Sequence, residues 1–526
     1  MPSPGTISFL TASKSLLADV VDSVEIQTEL ASAGDLELLV SDPTILSVQS
    51  GVRVQAGPAR QTIRVIGRKA GQATLTARAS GAESTISITV NKGSVFQVPV
   101  LRNTSDLRMA LAFTNRSASA ADVRLRGFPA ANSATQPIEA SVQLPPGHQV
   151  AKFLDEISSE FVNFSGWVEV SSPDPGVSVL FIHVPGGLVR YSGAVAETRG
   201  LRQFVLAFPA PSGRYEIALA NNNLGAAQVS FTWFSSAGVA LATRSRTIES
   251  QGVMVEDIRT LLGNPLPALA DGYLEVQSSE ELTGFFEMTD VPLLFGGGLS
   301  KPAEPGQILE LPRTAAGLGW DTYVDIANLS DSASAGSIRA RLQSGDLLPA
   351  HEITLPPHGF ARIKFSELPG MATSQLQGGS AQIQMSGKTG ASALLLGPPG
   401  SGLATSLPVY LSPGNEYVFG QVANGNLGGF QLFTGLAVAN PGAEGSQVTV
   451  QVLDVDGTLR GETAFMLAAG ASRVELLSEL IPTLPAQFGG HVHISASRPI
   501  LAVEIFGDSA LSFLSAVPAG SGAALP

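Results

Sequence analysis

The 526-residue chain contains no cysteine, which excludes disulfides, thiol catalysis and cysteine-ligated metals. Charge is scarce at 14%, and the 3 Trp and 6 Tyr leave few aromatic platforms for carbohydrate. No run of basic residues occurs. The 31 Lys and Arg against 44 Asp and Glu give a net charge of −13, a diffuse acidic field that repels nucleic acid and anionic membranes. Nucleic acid is therefore excluded as a partner. No stretch reaches the ~18 apolar residues that cross a bilayer, so no transmembrane segment is expected. The opening MPSPGTISFLTASKSLLADVV has neither a basic start nor a clean apolar block, so it does not read as a signal peptide.

What is present points to strands. Apolar residues make up 44%, mostly Val, Leu, Ile and Ala, and 56 Gly with 34 Pro suit many short strands joined by turns. The length exceeds what one core serves, so several domains are expected.

An internal repeat organises most of the chain. An apolar strand ending in asparagine recurs as ALAFTN to Asn115, EIALAN to Asn221, YVDIAN to Asn328 and GLAVAN to Asn440, at spacings of 106, 107 and 112 residues. A gapless block follows each: Leu144–Ile157, Ile248–Leu261, Leu355–Leu368 and Leu467–Leu480. A glycine then opens an alternating strand at Gly166, Gly272, Gly379 and Gly490. Three landmarks in register four times define a unit of roughly 107 residues, long enough to bury its own core.

The last copy reads as seven strands: EYVFGQV, LFTGLAVAN, SQVTVQVLD, GETAFMLA, HVHISA, ILAVEIFG and LSFLSAVP. Turns are expected at Asn440–Gly442, Asp454–Gly457 and Ser497–Pro499. The fold class is thus all-β: tandem immunoglobulin-like β-sandwiches of about seven strands each. The expected domains are 1–93, 94–200, 201–306, 307–413 and 414–526. Within the LPPG…FLDEI block, Phe153, Leu154 and Ile157 recur at helical spacing and predict a short helical turn plugging the sandwich end. Each landmark asparagine is expected to cap the turn leaving its strand by bonding the backbone two residues on. A ligand site built from the four asparagines is the alternative.

Residues 1–93 lack these landmarks. The stretch SDPTILSVQSG…RVIGRKAGQATLTARASGAESTISITV resembles the bacterial immunoglobulin-like domains of invasin- and intimin-type surface proteins. The four later units resemble a mostly uncharacterised β-sandwich repeat module of large secreted bacterial proteins. That resemblance rests on Gly319-Trp320 with Asn328, Asn440-Pro441-Gly442, Leu355-Pro356-Pro357 and Val517-Pro518. Leu107 or Tyr215 stands near the place of Trp320, and only the last copy has Asn-Pro. The resemblance implies an extracellular or cell-surface location, with the signal peptide not present in this chain, and a non-catalytic role.

No catalytic or cofactor motif completes itself. Ser386-Gly387-Lys388-Thr389 hints at a phosphate loop, but Gln382 stands where its first Gly belongs. Lys388-Thr389-Gly390 echoes a penicillin-binding motif without the serine partner three residues before a lysine, and no Gly-x-Ser-x-Gly elbow occurs. His491 and His493 lie two apart on one strand face, where they either hold a metal without a third ligand or form a solvated face. Asp454-Val455-Asp456-Gly457 opens like a calcium loop, but Phe465 replaces the twelfth-position Glu, and a hairpin is favoured. Trp167 and Trp233 read as core, whereas Trp320 after Gly-Leu-Gly is expected to be partly exposed.

The expected sites are therefore none: no catalytic, cofactor-binding or metal residues. The expectation is a non-catalytic structural or adhesion protein with protein–protein contacts, either a stalk or a self-assembling filament subunit. The alternative is an accessory polysaccharide-binding region of a larger secreted hydrolase. Short junctions (Asn91–Ser94, Ser300–Gln307, Ser412–Glu416) predict a gently bent rod on the order of 150 Å long.

Overall fold

A computed structural model describes residues 5–519, except 131–136, 186–191, 197, 199, 209–213, 264–271, 290–293, 372–373 and 428. The architecture is all-β, with tandem immunoglobulin-like sandwiches. No helix among the described residues is long and apolar enough to cross a membrane.

In the N-terminal region one sheet orders Thr6–Phe9, Val21–Leu30, Gly57–Gly67 and Leu46–Val48. It faces a second sheet of Ser13–Leu17, Ala82–Asn91, Gly71–Ala79 and Glu37–Val40. Val24, Ile26 and Leu30 are buried while Glu25, Gln27 and Glu29 are exposed, the period-2 pattern of a strand with one wet face. The opening residues supply two strands that the sequence does not announce.

The first repeat orders Ser94–Asn103, Phe164–Ser172, Ala121–Pro129 and Ile138–Leu144 in one sheet. Its second sheet orders Gln149–Phe153, Leu107–Asn115, Val177–Pro185 and Ser192–Val195. The other three copies keep this plan with variations: in the third, Ile308–Gly317 also pairs with Trp320–Asn328, and the fourth adds Ala423–Leu427 and Gln487–Phe488. In the second and fourth, the strand after the landmark glycine runs on through both sheets, as Gly272–Thr289 and His491–Asp508. The turn expected at Ser497–Pro499 is therefore absent. Those residues lie where the strand leaves one sheet for the other, and the Arg498 N–H bonds the Ser446 hydroxyl at 3.1 Å. Pro499, with no N–H to give, fits that crossing point.

The landmarks have structural causes. Each asparagine is at most 2% exposed, and its side-chain oxygen accepts the N–H two residues on, at Ser117, Asn223, Ser330 and Gly442. Its amide also donates forward to the carbonyl four residues on and across to the Leu-Pro-Pro-Gly block, as in Asn440 to Glu444, Leu467 and Ala468. The asparagine is a cap and a rivet between two strand ends, not a ligand site. A Cβ on Gly166, Gly272, Gly379 or Gly490 would fall 1.8–2.1 Å from a carbonyl of the neighbouring strand, which explains the landmark in all four copies. The helical turns form at Leu154–Ile157, Ile258–Leu262, Phe365–Glu367 and Leu477–Leu480, each burying apolar residues such as Leu154, Leu261, Phe365 and Leu477.

The rod expectation fails, because the four repeats close into a ring. The Ser236 carbonyl on the second repeat's hairpin accepts the Phe360 N–H of the third at 3.0 Å. Gln343 does the same for Ser472 of the fourth at 3.0 Å, and Val455 for Gln149 of the first at 2.9 Å. Gln149, Phe360 and Ser472 each stand five residues beyond the leucine that opens the block. The contact is thus one heterologous interface repeated head to tail, and a rotation that returns to its start makes a ring rather than a filament. Short junctions do not force extension, since each repeat buries apolar strand faces against its neighbour. Leu180 and Ile182 of the first repeat pack with Ala423, Leu432 and Phe506 of the fourth. The N-terminal sandwich docks on the rim over the first two repeats: Arg126 donates to the Val21 carbonyl at 2.9 Å, and Arg64 to Ser250 Oγ at 2.6 Å.

Candidate functional site

Two places in the ring could serve a function: its axis and a cleft on the third repeat. At the axis the short closing strands Ser192–Val195, Leu294–Gly298, Ala404–Leu407 and Leu514–Val517 lie against one another in cyclic order, the fourth returning to the first. Small residues let them meet. A cavity of about 230 Å³ there is bounded by Ala194, Gly296, Ser406 and Ala516, one from each repeat. The Ala516 N–H bonds Thr405 Oγ1 at 2.6 Å, tying third and fourth repeats beside the axis. This arrangement is a hub, whose cavity is also lined by Ser300, Lys301 and Tyr410.

Several buried polar groups lie at or beside the junctions between repeats. His183 and Glu287 are both fully buried and bonded at 2.9 Å across the first and second repeats. Trp167 Nε1 donates to the Gln251 carbonyl at 3.0 Å, and Phe128 stacks on the indole. Arg362 grips Asp325 through two bonds of 2.7 and 3.0 Å while reaching Phe208 of the second repeat. Burial pushes the Asp325 carboxyl up, against the pull of that guanidinium, and does the same to Glu169 beside Arg126. Such buried pairs fix orientation more than they add stability. Glu504, fully buried on the fourth repeat, has neither oxygen hydrogen-bonded, and burial raises its pKa well above the usual carboxylate range.

The cleft lies at one end of the third repeat, with a volume of about 580 Å³. Its walls are two turns, Gly317–Gly319 and Pro398–Gly402, and the 3₁₀ turn Phe365–Glu367. Trp320 is half-buried at its edge, against an apolar cluster that the third repeat shares with the fourth, and Tyr323 follows on the same strand, packed towards the second repeat's cluster. Lys364 pairs with Glu367 at 3.1 Å and lies 5.8 Å over the Tyr323 ring. Asp321 accepts both the Ser366 N–H at 3.0 Å and its hydroxyl at 2.5 Å, which fixes the 3₁₀ turn.

Ser386–Lys388 connects two strands, and its N–H groups are taken by the Ser334 and Ser330 hydroxyls. Asp454–Gly457 is a hairpin turn whose Val455 carbonyl serves the ring. His491 and His493 do not form a solvated face. His491 is 3% exposed near Arg116, and burial, His493 and Arg116 push its pKa down to about 4. His493 bonds Glu416 at 2.5 Å. Among the described residues no three His, Cys, Asp or Glu side chains gather to hold a metal. Trp167 and Trp233 are fully buried, the first between repeats and the second in its own core.

No family model matches the chain, and no curated protein sequence does. Among solved structures, 64 chains match. A Thermotoga maritima protein, 1070, is 14% identical over 21% of this chain and 96% of its own, with a TM-score of 0.18. The D0–D1 domains of intimin are 10% identical over 56% and 95%, with a TM-score of 0.13. Sidekick-1 immunoglobulin domains 1–5 are 10% identical over 97% and 98%, with a TM-score of 0.10. At these values the likeness fixes neither assembly nor activity.

Proposed function

We propose that this chain is a non-catalytic structural or adhesion protein of the cell surface, working as a rigid hub rather than as a stalk. The observation that carries this reading is the closed ring: buried His183, Glu287 and Gln149 bond across repeats, and an interface used head to tail ends on its own first copy. Such a closed body holds its outward loops and its N-terminal sandwich at fixed angles. Presentation to partner proteins is the use that this rigidity favours. Protease treatment and antibody labelling of intact producing cells test the location. Cleavage and labelling without lysis are expected, and a chain protected until lysis would contradict the reading. A second reading, a polysaccharide-holding region of a larger secreted protein, is favoured by one observation, the aromatic cleft beside Trp320.

A further inference from the structure

The geometry of that cleft leads us to infer that it is a binding site for a neutral glycan, which deepens the second reading and does not depend on the hub role. The ring supplies an internal control, because the other three copies show what the fold needs at these positions. Tyr323 lies opposite Lys364 on paired strands, and the same register positions hold Ala110 with Phe153, Glu216 with Asp257, and Gly435 with Leu476. Counting eight residues back from each landmark asparagine gives Leu107, Gly213, Trp320 and Leu432. A tryptophan, a tyrosine and a lysine therefore line one cleft in the third copy alone. Trp320 and Tyr323 also pack in part against the cores on either side of their strand.

The walls are built to stay open. Gly317, Leu318 and Gly319 all have positive φ, at 106°, 53° and 88°, the middle one a strained conformation for leucine. Leu318 is left 63% exposed at the rim. A Cβ on Gly319 would lie 3.0 Å from Pro398, so the two turns brace each other. The volume of about 580 Å³ falls within the range of roughly 300–1,000 Å³ common to small-ligand sites.

The chemistry selects the ligand. A pyranose ring has an apolar C–H face and a rim of hydroxyls that both donate and accept. Trp320 and Tyr323, both half-buried in the cleft wall, supply aromatic surface for the first. Lys364 Nζ and Glu367 Oε1, 3.1 Å apart, offer a donor and an acceptor to one hydroxyl. Asp321, with both oxygens taken by Ser366, is a positioning residue that holds Glu367 in place. One lysine against two carboxylates gives no attraction for a phosphate or an acidic sugar. Nor is there main chain for an extended peptide to pair with. Trp320, Asp321, Lys364 and Leu396 already sit in paired strands.

The test is affinity electrophoresis of the full chain through gels containing hydroxyethylcellulose, laminarin, galactomannan or dextran. Tryptophan fluorescence with the same glycans accompanies it. Trp167 and Trp233 are fully buried, so quenching by acrylamide reports chiefly on Trp320. Retardation by at least one glycan, with saturable protection of the quenchable tryptophan, is expected, and Trp320→Ala should abolish the retardation. Where Trp320→Ala fails to fold, the surface pair Lys364→Ala/Glu367→Ala replaces it, with binding weakened about tenfold. Unchanged mobility in all four gels overturns the inference, as does retardation that the folded variant retains. Neither result bears on whether the chain is displayed at the cell surface.

Discussion

Asn115, Asn221, Asn328 and Asn440 each satisfy a turn N–H and help to satisfy carbonyls at two strand ends. Truncating one strands those groups in the interior, where each unpaired group costs about 1–3 kcal/mol. Asn440→Ala should lower stability by about 2–4 kcal/mol, read as a reduced urea midpoint, and Asn440→Asp should recover little because its oxygens cannot donate. Glu504 and His491 set opposite pH windows. The Glu504 pKa is raised in the folded chain, so its contribution is fully present below about pH 4.5 and is lost as pH rises towards the folded value. Glu504→Gln should therefore raise Tm by a few degrees at pH 8 and leave it nearly unchanged at pH 4. The His491 pKa is depressed to about 4, so its contribution is present above pH 6.5 and is lost as pH falls through about 4. His491→Gln should flatten that acid limb. The asparagine caps were legible, because an Asn ending an apolar strand before a turn has one well-defined use. Buried Glu504 was not, since nothing local marks a carboxylate that tertiary packing will cover.

Strands show where sequence reading works and where it stops. Val448, Val450 and Val452 alternate with half-buried or exposed neighbours, and that strand sits as its period predicts. Short strands such as Ser472–Leu476 went unread because the turn chemistry around them hides a five-residue element. Two of the strands that open repeats carry a different signal. Ser94–Asn103 and Ile308–Gly317 are buried at all but one position each, on both faces. A sandwich strand with a wet outer face alternates, whereas continuous burial means that something covers the other side. Here that something is the next repeat. The landmark glycines offer an element-scale test: Gly379→Ala places a methyl about 1.8 Å from the Arg341 carbonyl, forcing two strands apart. Loss of roughly 2 kcal/mol or more is expected, read by chemical denaturation.

For the whole molecule, closure changes what the repeats mean. Four copies in a line would leave each free to bend, whereas a ring makes every junction depend on the other three. A chain truncated before Gly414 loses the cover over Ala112, Leu180 and Ile182, and should bind hydrophobic dyes and self-associate. A linear arrangement predicts a well-behaved shorter monomer. The landmarks were legible in sequence, but closure was not, because the residues that join repeats are the same Val, Leu and Ala types that fill cores. Buried His183 and Glu287, each fully hidden, became interpretable only once their repeats were seen side by side.

The most direct test of closure exploits the absence of native cysteine. The Cβ of Leu180 lies 3.8 Å from the position a Cβ would take on Gly420, within the usual span of a disulfide, although 240 residues separate them in sequence. The double variant Leu180→Cys/Gly420→Cys, oxidised at low concentration, should form one intramolecular disulfide in a monomer, with faster migration on non-reducing gels that reductant reverses. Free thiols or intermolecular dimers, with no internal bond, would contradict the ring.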